Sequence, residues 1–229
     1  LTGQGVNVGA FVCRLTSAGA ADTTFDTDGI ALANQPGSGV NTMQAVKVLA
    51  DGDIATVGTT SISGVVSMSV LRFTPSGALD TTFDTDGRAV VSVGTSSSGY
   101  DVVEQADGRL LVGGSANVSG NLDFALARLT AAGALDPTFH GTGSVTTPIG
   151  AGHDEAFAMA LQADGKPVLG GRTHNGTINQ FAAVRYTEGV ITTPTVTSST
   201  ASLASNATTL IITGTGFDTT PGNNTVVFN

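Results

Sequence analysis

The sequence predicts an all-β fold: tandem four-stranded units of the β-propeller type with a period of about 57 residues, followed by part of an immunoglobulin-like β-sandwich. Three observations predict it. The phrase Arg14-Leu-Thr-Ser-Ala-Gly-Ala-Ala-Asp-Thr-Thr-Phe-Asp-Thr-Asp-Gly29 returns from Arg72 to Gly87 with twelve of sixteen positions identical. It returns again from Arg128 to Gly143 and fades after Arg185, so the arginines are spaced by 58, 56 and 57 residues. A second marker, Ala50-Asp51-Gly52, Ala106-Asp107-Gly108 and Ala163-Asp164-Gly165, recurs at steps of 56 and 57. No window carries an apolar period near 3.6, so helix is expected to be nearly absent. Short strands repeated at a fixed period of this size are the signature of a propeller array.

The units run over about residues 1–29 (partial), 30–87, 88–143 and 144–187. Val8–Leu15 alternates like the last strand of the later copies and therefore belongs to a unit lying upstream. A β-trefoil, the other fold built from three four-stranded units, needs no such strand. In the middle copy the expected strands are Ala89–Val93, Asp101–Gln105, Leu110–Gly114 and Asp123–Leu129. Asp107-Gly108 marks a tight hairpin, since Gly tolerates the positive φ such turns demand. On the last strand Phe124, Leu126 and Arg128 face one way and Ala125, Ala127 and Leu129 the other, and the small residues suit close packing of neighbouring sheets. The Gly pairs at 113–114 and 170–171 read as strand-ending turns. Cys13 stands where the other copies have Leu71 and Ala127 and reads as a small core hydrophobe. After Glu188-Gly189 the chain turns to Thr, Ser and Val without charge until Asp218, so residues 190–229 are expected to begin a second domain.

Acidic residues outnumber basic ones 18 to 9, for a formal charge of −9. Nothing in such a chain neutralises a row of phosphates, which argues against nucleic acid as partner. No apolar run of about 18 residues is present to insert in a membrane as a helix. A single Cys excludes an intramolecular disulfide. That lone Cys and the scarcity of Lys (Lys47 and Lys166) fit an extracellular or cell-surface protein. Asn117, Asn175, Asn206 and Asn223 sit in glycosylation acceptor patterns. Both ends have the look of cuts within a longer polypeptide.

The phrases Phe124-Ala-Leu-Ala-Arg-Leu-Thr-Ala-Ala-Gly-Ala-Leu-Asp-Pro-Thr-Phe139 and Leu161-Gln-Ala-Asp-Gly-Lys-Pro-Val-Leu-Gly-Gly171 resemble the delta-60 repeat family, over about residues 1–187. The resemblance implies a propeller-like fold, a place in large secreted or surface proteins, and no established catalytic residues. Three full units are fewer than the four to eight blades that close a typical propeller. The stretch Thr208-Thr-Leu-Ile-Ile-Thr-Gly-Thr-Gly-Phe217, with Pro221-Gly222 and Val226-Val-Phe228 after it, resembles the start of an IPT/TIG immunoglobulin-like domain over about residues 192–229. That resemblance implies a spacer of tandem surface proteins.

Arg14, Arg72, Arg128 and Arg185 occupy one position of the repeat, and the first three are followed eight residues later by Asp22, Asp80 and Asp136. A guanidinium fork holds a carboxylate and nearby carbonyls together, so a structural clasp is expected. Asp26/Asp28 and Asp84/Asp86 have the close carboxylate spacing of calcium ligands. The twelve-residue loop with its terminal Glu is absent, and the third copy reads His140-Gly141-Thr142-Gly143, so ordinary turn roles are expected instead. His140, His153 and His174 lack transition-metal spacing, and His153-Asp154-Glu155 reads as a polar turn. No nucleophile, zinc or phosphate motif occurs. No catalytic, cofactor or metal residue is therefore assigned. The expected function is a non-catalytic structural or adhesive module of a large extracellular protein, part of a filament or stalk. Its partners would be proteins, including further copies or the remainder of the same chain. The other reading is a ligand-binding propeller for a glycan or protein, completed by blades outside the segment; two Tyr and no Trp offer little for sugar stacking.

Overall fold

The computed structural model describes residues 10–33 and 42–187, together with the pairing of residues 195–196 and 214–215. The chain falls into two compact units, Leu1–Glu188 and Gly189–Asn229. In the second, β14 (Thr195–Val196) pairs antiparallel with β15 (Gly214–Thr215). The remainder of the expected IPT/TIG-like region lies outside the described residues.

The first unit is built only of antiparallel strands among its described residues. An N-terminal pair joins β1 (Ala10–Cys13) to β2 (Ile30–Ala33). The first full sheet meanders through β3 (Thr42–Val48), β4 (Ile54–Ile62), β5 (Val65–Phe73) and β6 (Arg88–Val91). The second runs through β7 (Ser96–Glu104), β8 (Leu110–Val118), β9 (Asn121–Leu129) and β10 (Ser144–Thr147). The third holds β11 (Glu155–Leu161), β12 (Pro167–His174) and β13 (Asn179–Arg185). Two of these sheets are complete four-stranded units of a propeller-type fold, and the N-terminal pair and the third sheet show two and three strands of the same unit among the described residues.

Turn chemistry sets each meander. Asp51-Gly52 and Asp107-Gly108 close β3–β4 and β7–β8, with Gly52 N donating to Leu49 O and Gly108 N to Gln105 O, both at 3.0 Å. Gly52 and Gly108 take φ of 92° and 81°, the geometry of a type I turn ended by a left-handed glycine. Ser63-Gly64 and Ser119-Gly120 close β4–β5 and β8–β9 with positive φ at both residues, the mirror-image turn that matches strand twist.

Three strand-level expectations need correction. The strand near Ala89 does not open the sheet of the middle copy; β6 pairs with β5 (Val70↔Ala89) and closes the preceding sheet. The loop between them folds the chain back on itself, so the sheets are offset by one strand from the sequence units. The Gly pairs do not end strands. Gly58, Gly114 and Gly171 lie inside β4, β8 and β12, opposite bulges at Met43/Ala45, Gly99/Asp101 and Ala156/Ala158 of the neighbouring strand. A Cβ at Gly114 would lie 1.9 Å from Ser98 O, so only glycine admits the bulged backbone, and β8 continues to Val118. Cys13 is exposed rather than buried, because among the described residues no earlier sheet covers its face of the N-terminal pair.

Successive sheets stack face to face, and each of the three interfaces between them buries apolar residues. Val12, Ala31 and Ala33 pack on Ile54, Leu71 and Phe73. Val57, Met68 and Val70 of the first full sheet pack on Val102, Val112, Ala125 and Ala127 of the second. Leu111, Phe124 and Leu126 pack in turn on Met159, Leu169 and Val184. The alternation anticipated on β9 is thus real: its large side chains face forward and its small ones backward.

Candidate functional site

The repeated polar residues converge at one end of the sheets. Asp22, Asp80 and Asp136 each turn Oδ1 onto the Thr two residues on, accepting from the backbone N at 3.0 Å and from Oγ1 at 2.6, 2.7 and 2.7 Å. That leaves Oδ2 for the arginine, met by Nε of Arg14 at 2.8 Å, Arg72 at 3.2 Å and Arg128 at 2.9 Å. Each guanidinium lies over the Phe of its own corner, 4.7, 5.9 and 4.9 Å from the ring centres of Phe25, Phe83 and Phe139. The two residues after the Phe take positive φ in every copy: Asp26-Thr27, Asp84-Thr85 and His140-Gly141. Asp and Gly tolerate this region, whereas the β-branched Thr27 and Thr85 are held in it against their preference, and a 2.7 Å bond from the closing Gly N to the Phe O is kept in all three. The third copy thus replaces the acids without changing the turn.

The corners also reach across to the next sheet. Arg14 Nη1 donates to Pro75 O at 2.6 Å and Arg72 Nη1 to Ala131 O at 3.1 Å. Asp26 N donates to Ser76 O at 2.8 Å and Asp84 N to Ala132 O at 2.7 Å. The Asp-Gly hairpins join the same corner: Arg72 holds Asp53 at 2.7 Å and Asp51 at 2.5 Å, and Arg109 approaches Asp136 at 3.4 Å. The two sequence markers that define the period are therefore one clasp in space. Burial alone would raise the carboxyls of Asp80 and Asp136. The Thr hydroxyl and amide and the nearby arginine charge outweigh it and hold both below the usual carboxylate range.

Asp28 and Asp86 turn Oδ1 to the amides of Ile30 (2.9 Å) and Arg88 (3.0 Å), the capping role expected of turn carboxylates. Among the described residues no group of three or more His, Cys, Asp or Glu is arranged to hold a metal ion.

At the opposite end, the third sheet departs from the pattern of its neighbours. The strand registers Ser98↔Ser115 and Glu155↔Arg172 make Glu155 the counterpart of Ser98 and Arg172 that of Ser115. By the same register His153, Asp154 and His174 stand where the second sheet has Ser96, Ser97 and Asn117. Five small polar positions have become titratable. Leu122, His153, Glu155, Arg172, His174 and Asn179 line a cleft of about 410 Å³. His153 Nδ1 accepts from Leu122 N at 2.9 Å and His174 Nδ1 from Gly176 N at 3.1 Å, so each neutral ring carries its proton on Nε2. Arg172 pairs with Glu155 through Nε at 2.7 Å and through Nη2, and lies 5.8 Å from the Phe157 ring centre. Beneath them Asp154 is fully buried, accepting from Ile149 N (2.6 Å), Gly150 N (3.0 Å) and Thr173 Oγ1 (2.5 Å). Burial raises Asp123, and the charge of Asp154 raises it further.

The expected Arg–Asp pairs are brought together, while Arg185 makes no hydrogen bond among the described residues. His153 and His174, which share no spacing signal, are brought to one cleft by the β11–β12 register. The signal that could have found them is the loss of Ser/Asn at the matched positions of the repeat. Asn206 and Asn223 lie outside the described residues. Asn175 is exposed, and its Oδ1 accepts from the amides of Thr177 and Ile178 at 3.0 Å.

Fold and clasp together define the class: a β-propeller-like repeat protein. A family profile described as a domain of unknown function (DUF5122), beta-propeller, matches residues 49–83 and 105–139. Each matched stretch begins at the Asp-Gly hairpin and ends on the corner Phe, so the profile covers the residues of the clasp. No curated protein matches the chain.

Proposed function

We propose that the chain is a non-catalytic structural module of a large extracellular or cell-surface protein, with repeats of the delta-60 type and an IPT/TIG-like spacer beginning near residue 190. The observation that carries this reading is the use made of the repeated polar residues. Arg14 and Arg72 through Nη1, and Asp26 and Asp84 through their backbone N–H, donate to carbonyls of the following sheet, so the motif joins units in series rather than framing a pocket. The low charge and scarce Lys support the location. The test is a membrane-impermeant amine reagent applied to intact source cells. Labelling of Lys47, which is exposed, supports the reading; labelling only after lysis contradicts it.

The third-sheet cleft favours a second reading, a propeller that holds a glycan or protein at its loop end. Loss of a measured ligand on Arg172→Ala, with the fold intact, would favour that reading over the first.

A further inference from the structure

The hairpin of the third sheet differs from its two predecessors. Ser63-Gly64 and Ser119-Gly120 each turn the chain in two residues, whereas β12 and β13 are joined by four, Asn175-Gly176-Thr177-Ile178. These four hold the chain's single Asn-Gly pair. Asn175 N donates to Ile178 O at 3.2 Å, and Asn175 Oδ1 accepts in return from the backbone N–H groups of Thr177 and Ile178, both at 3.0 Å. Two fixed donors thus polarise the side-chain carbonyl, the arrangement that stabilises an oxyanion. The nitrogen next in the chain, Gly176 N, donates to His174 Nδ1 at 3.1 Å, within the reach of a general base. His174 is fixed from behind: its N donates to His153 O at 3.1 Å, and its O accepts from Gly152 N at 2.9 Å. A Cβ on Gly152 would stand 2.8 Å from Nδ1, so glycine there leaves room for the ring. A Cβ built on Gly176 would meet nothing within 4 Å, and Asn175 is exposed, so the reacting atoms are unobstructed. Nucleophile, base and oxyanion donors surround one carbonyl.

We propose that Asn175 is a self-modification site, at which the chain forms a succinimide with His174 as the base. Gly176 N gives its proton to His174 Nδ1 and bonds to Asn175 Cγ, while the amides of Thr177 and Ile178 hold the charge that gathers on Oδ1. The Cγ–Nδ2 bond then breaks, the imidazolium returns the proton to Nδ2, and ammonia leaves behind a five-membered imide. Water opens that ring at either carbonyl, so residue 175 ends as aspartate or as isoaspartate. One water enters and one ammonia departs, and nothing else is consumed. Either product sets a carboxylate beside the cleft lined by His153, Glu155, Arg172 and His174 and makes it more negative. Loss of ammonia makes the conversion one-way, so it marks the age of each molecule. Asn117 is the contrast: its Oδ1 also accepts a turn amide, Gly120 N at 3.1 Å, but the residue after it is Val118, within β8. The inference goes beyond the structural module and depends on neither reading of the chain's role.

Incubation of the full chain at neutral pH, followed by tryptic digestion, tests it. Trypsin releases residues 173–185 as one peptide, in which mass spectrometry reads the conversion and enzymatic methylation reads isoaspartate. Asn175 is expected to convert faster in the folded chain than in a synthetic peptide of residues 173–185, while Asn179 and Asn117 stay intact. His174→Asn can still accept the Gly176 N–H but cannot take its proton. With an unchanged circular dichroism spectrum it is expected to slow the conversion about 100-fold, the low end of what a positioned base contributes. A folded chain that converts no faster than the peptide overturns the inference, and that comparison needs no variant. Conversion of His174→Asn at the wild-type rate also overturns it, because the imidazole would then take no part. Ammonia released from Asn175→Ser as fast as from the wild type overturns it as well, since the source would lie elsewhere.

Discussion

Replacing Arg72 by Ala isolates the clasp. Arg72 is 13% exposed and bonds Asp53 at 2.7 Å, Asp51 at 2.5 Å and Ala131 O at 3.1 Å, with Asp80 at 3.2 Å. Without it, Asp53 (13% exposed) and Asp80 (11%) are left as neighbouring anions with no counter-charge. Removing one partner of a buried ion pair costs about 3–5 kcal/mol, and the more exposed Asp51 adds less than about 1 kcal/mol. For a unit of this size each kcal/mol lowers the melting temperature by about 2–4 °C, so a drop of about 10 °C is expected. Urea unfolding followed by circular dichroism measures the loss. Lys166→Ala is the control: Lys166 stands at the position of Asp53 in the repeat but pairs only with the exposed Asp164, so its loss should leave the melting temperature almost unchanged. Arg72→Lys keeps the charge without the fork and should recover only part of the stability. Equal losses for Arg72→Ala and Lys166→Ala would refute the reasoning.

Three more outcomes are expected. Asp136→Asn should cost about 3 kcal/mol at pH 7, since Asp136 and Arg128 are each 5% exposed. Because the folded carboxyl lies below its usual range, this contribution is full above about pH 4 and is lost as pH falls through the depressed value. The variant and wild type should therefore converge in urea melts toward pH 2, and a constant gap would contradict the linkage. Asp123 has the opposite sign: its carboxyl is raised by burial and then by Asp154, so ionisation opposes folding as pH rises. Asp123→Asn should raise stability by about 1 kcal/mol at pH 7 and leave it unchanged at pH 3, where no gain at neutrality would sink the argument. Finally, Gly171→Ala places a Cβ 1.9 Å from Glu155 O and should cost more than about 3 kcal/mol, whereas Gly170→Ala meets nothing within 4 Å and should stay within about 0.5 kcal/mol. Equal melting points for the two would restore the turn reading of the pair.

What was legible in the sequence follows from what a repeat encodes. Arg72 and Asp80 pair inside one corner, so their fixed spacing exposes the contact. Ala131 O, the cross-sheet acceptor, is a backbone atom, and residue identity carries no mark of it. The period gives the length of a unit but not its phase, and for that reason β6 pairs with β5 rather than opening the sheet of the middle copy. Gly114 looks like a turn glycine in sequence, because a glycine chosen for positive φ and one chosen for close approach read the same. Cys13 follows its counterparts in pattern but not in burial, since burial depends on a neighbouring sheet. The cleft of the third sheet arises where His153 and His174 meet across two strands, and no linear spacing anticipates that.

Electron microscopy of the native, full-length protein tests the central claim most directly. The account predicts filaments or long beaded stalks, with the sheets stacked in series. Isolated closed rings would contradict it and make the third-sheet cleft the place to look for a ligand.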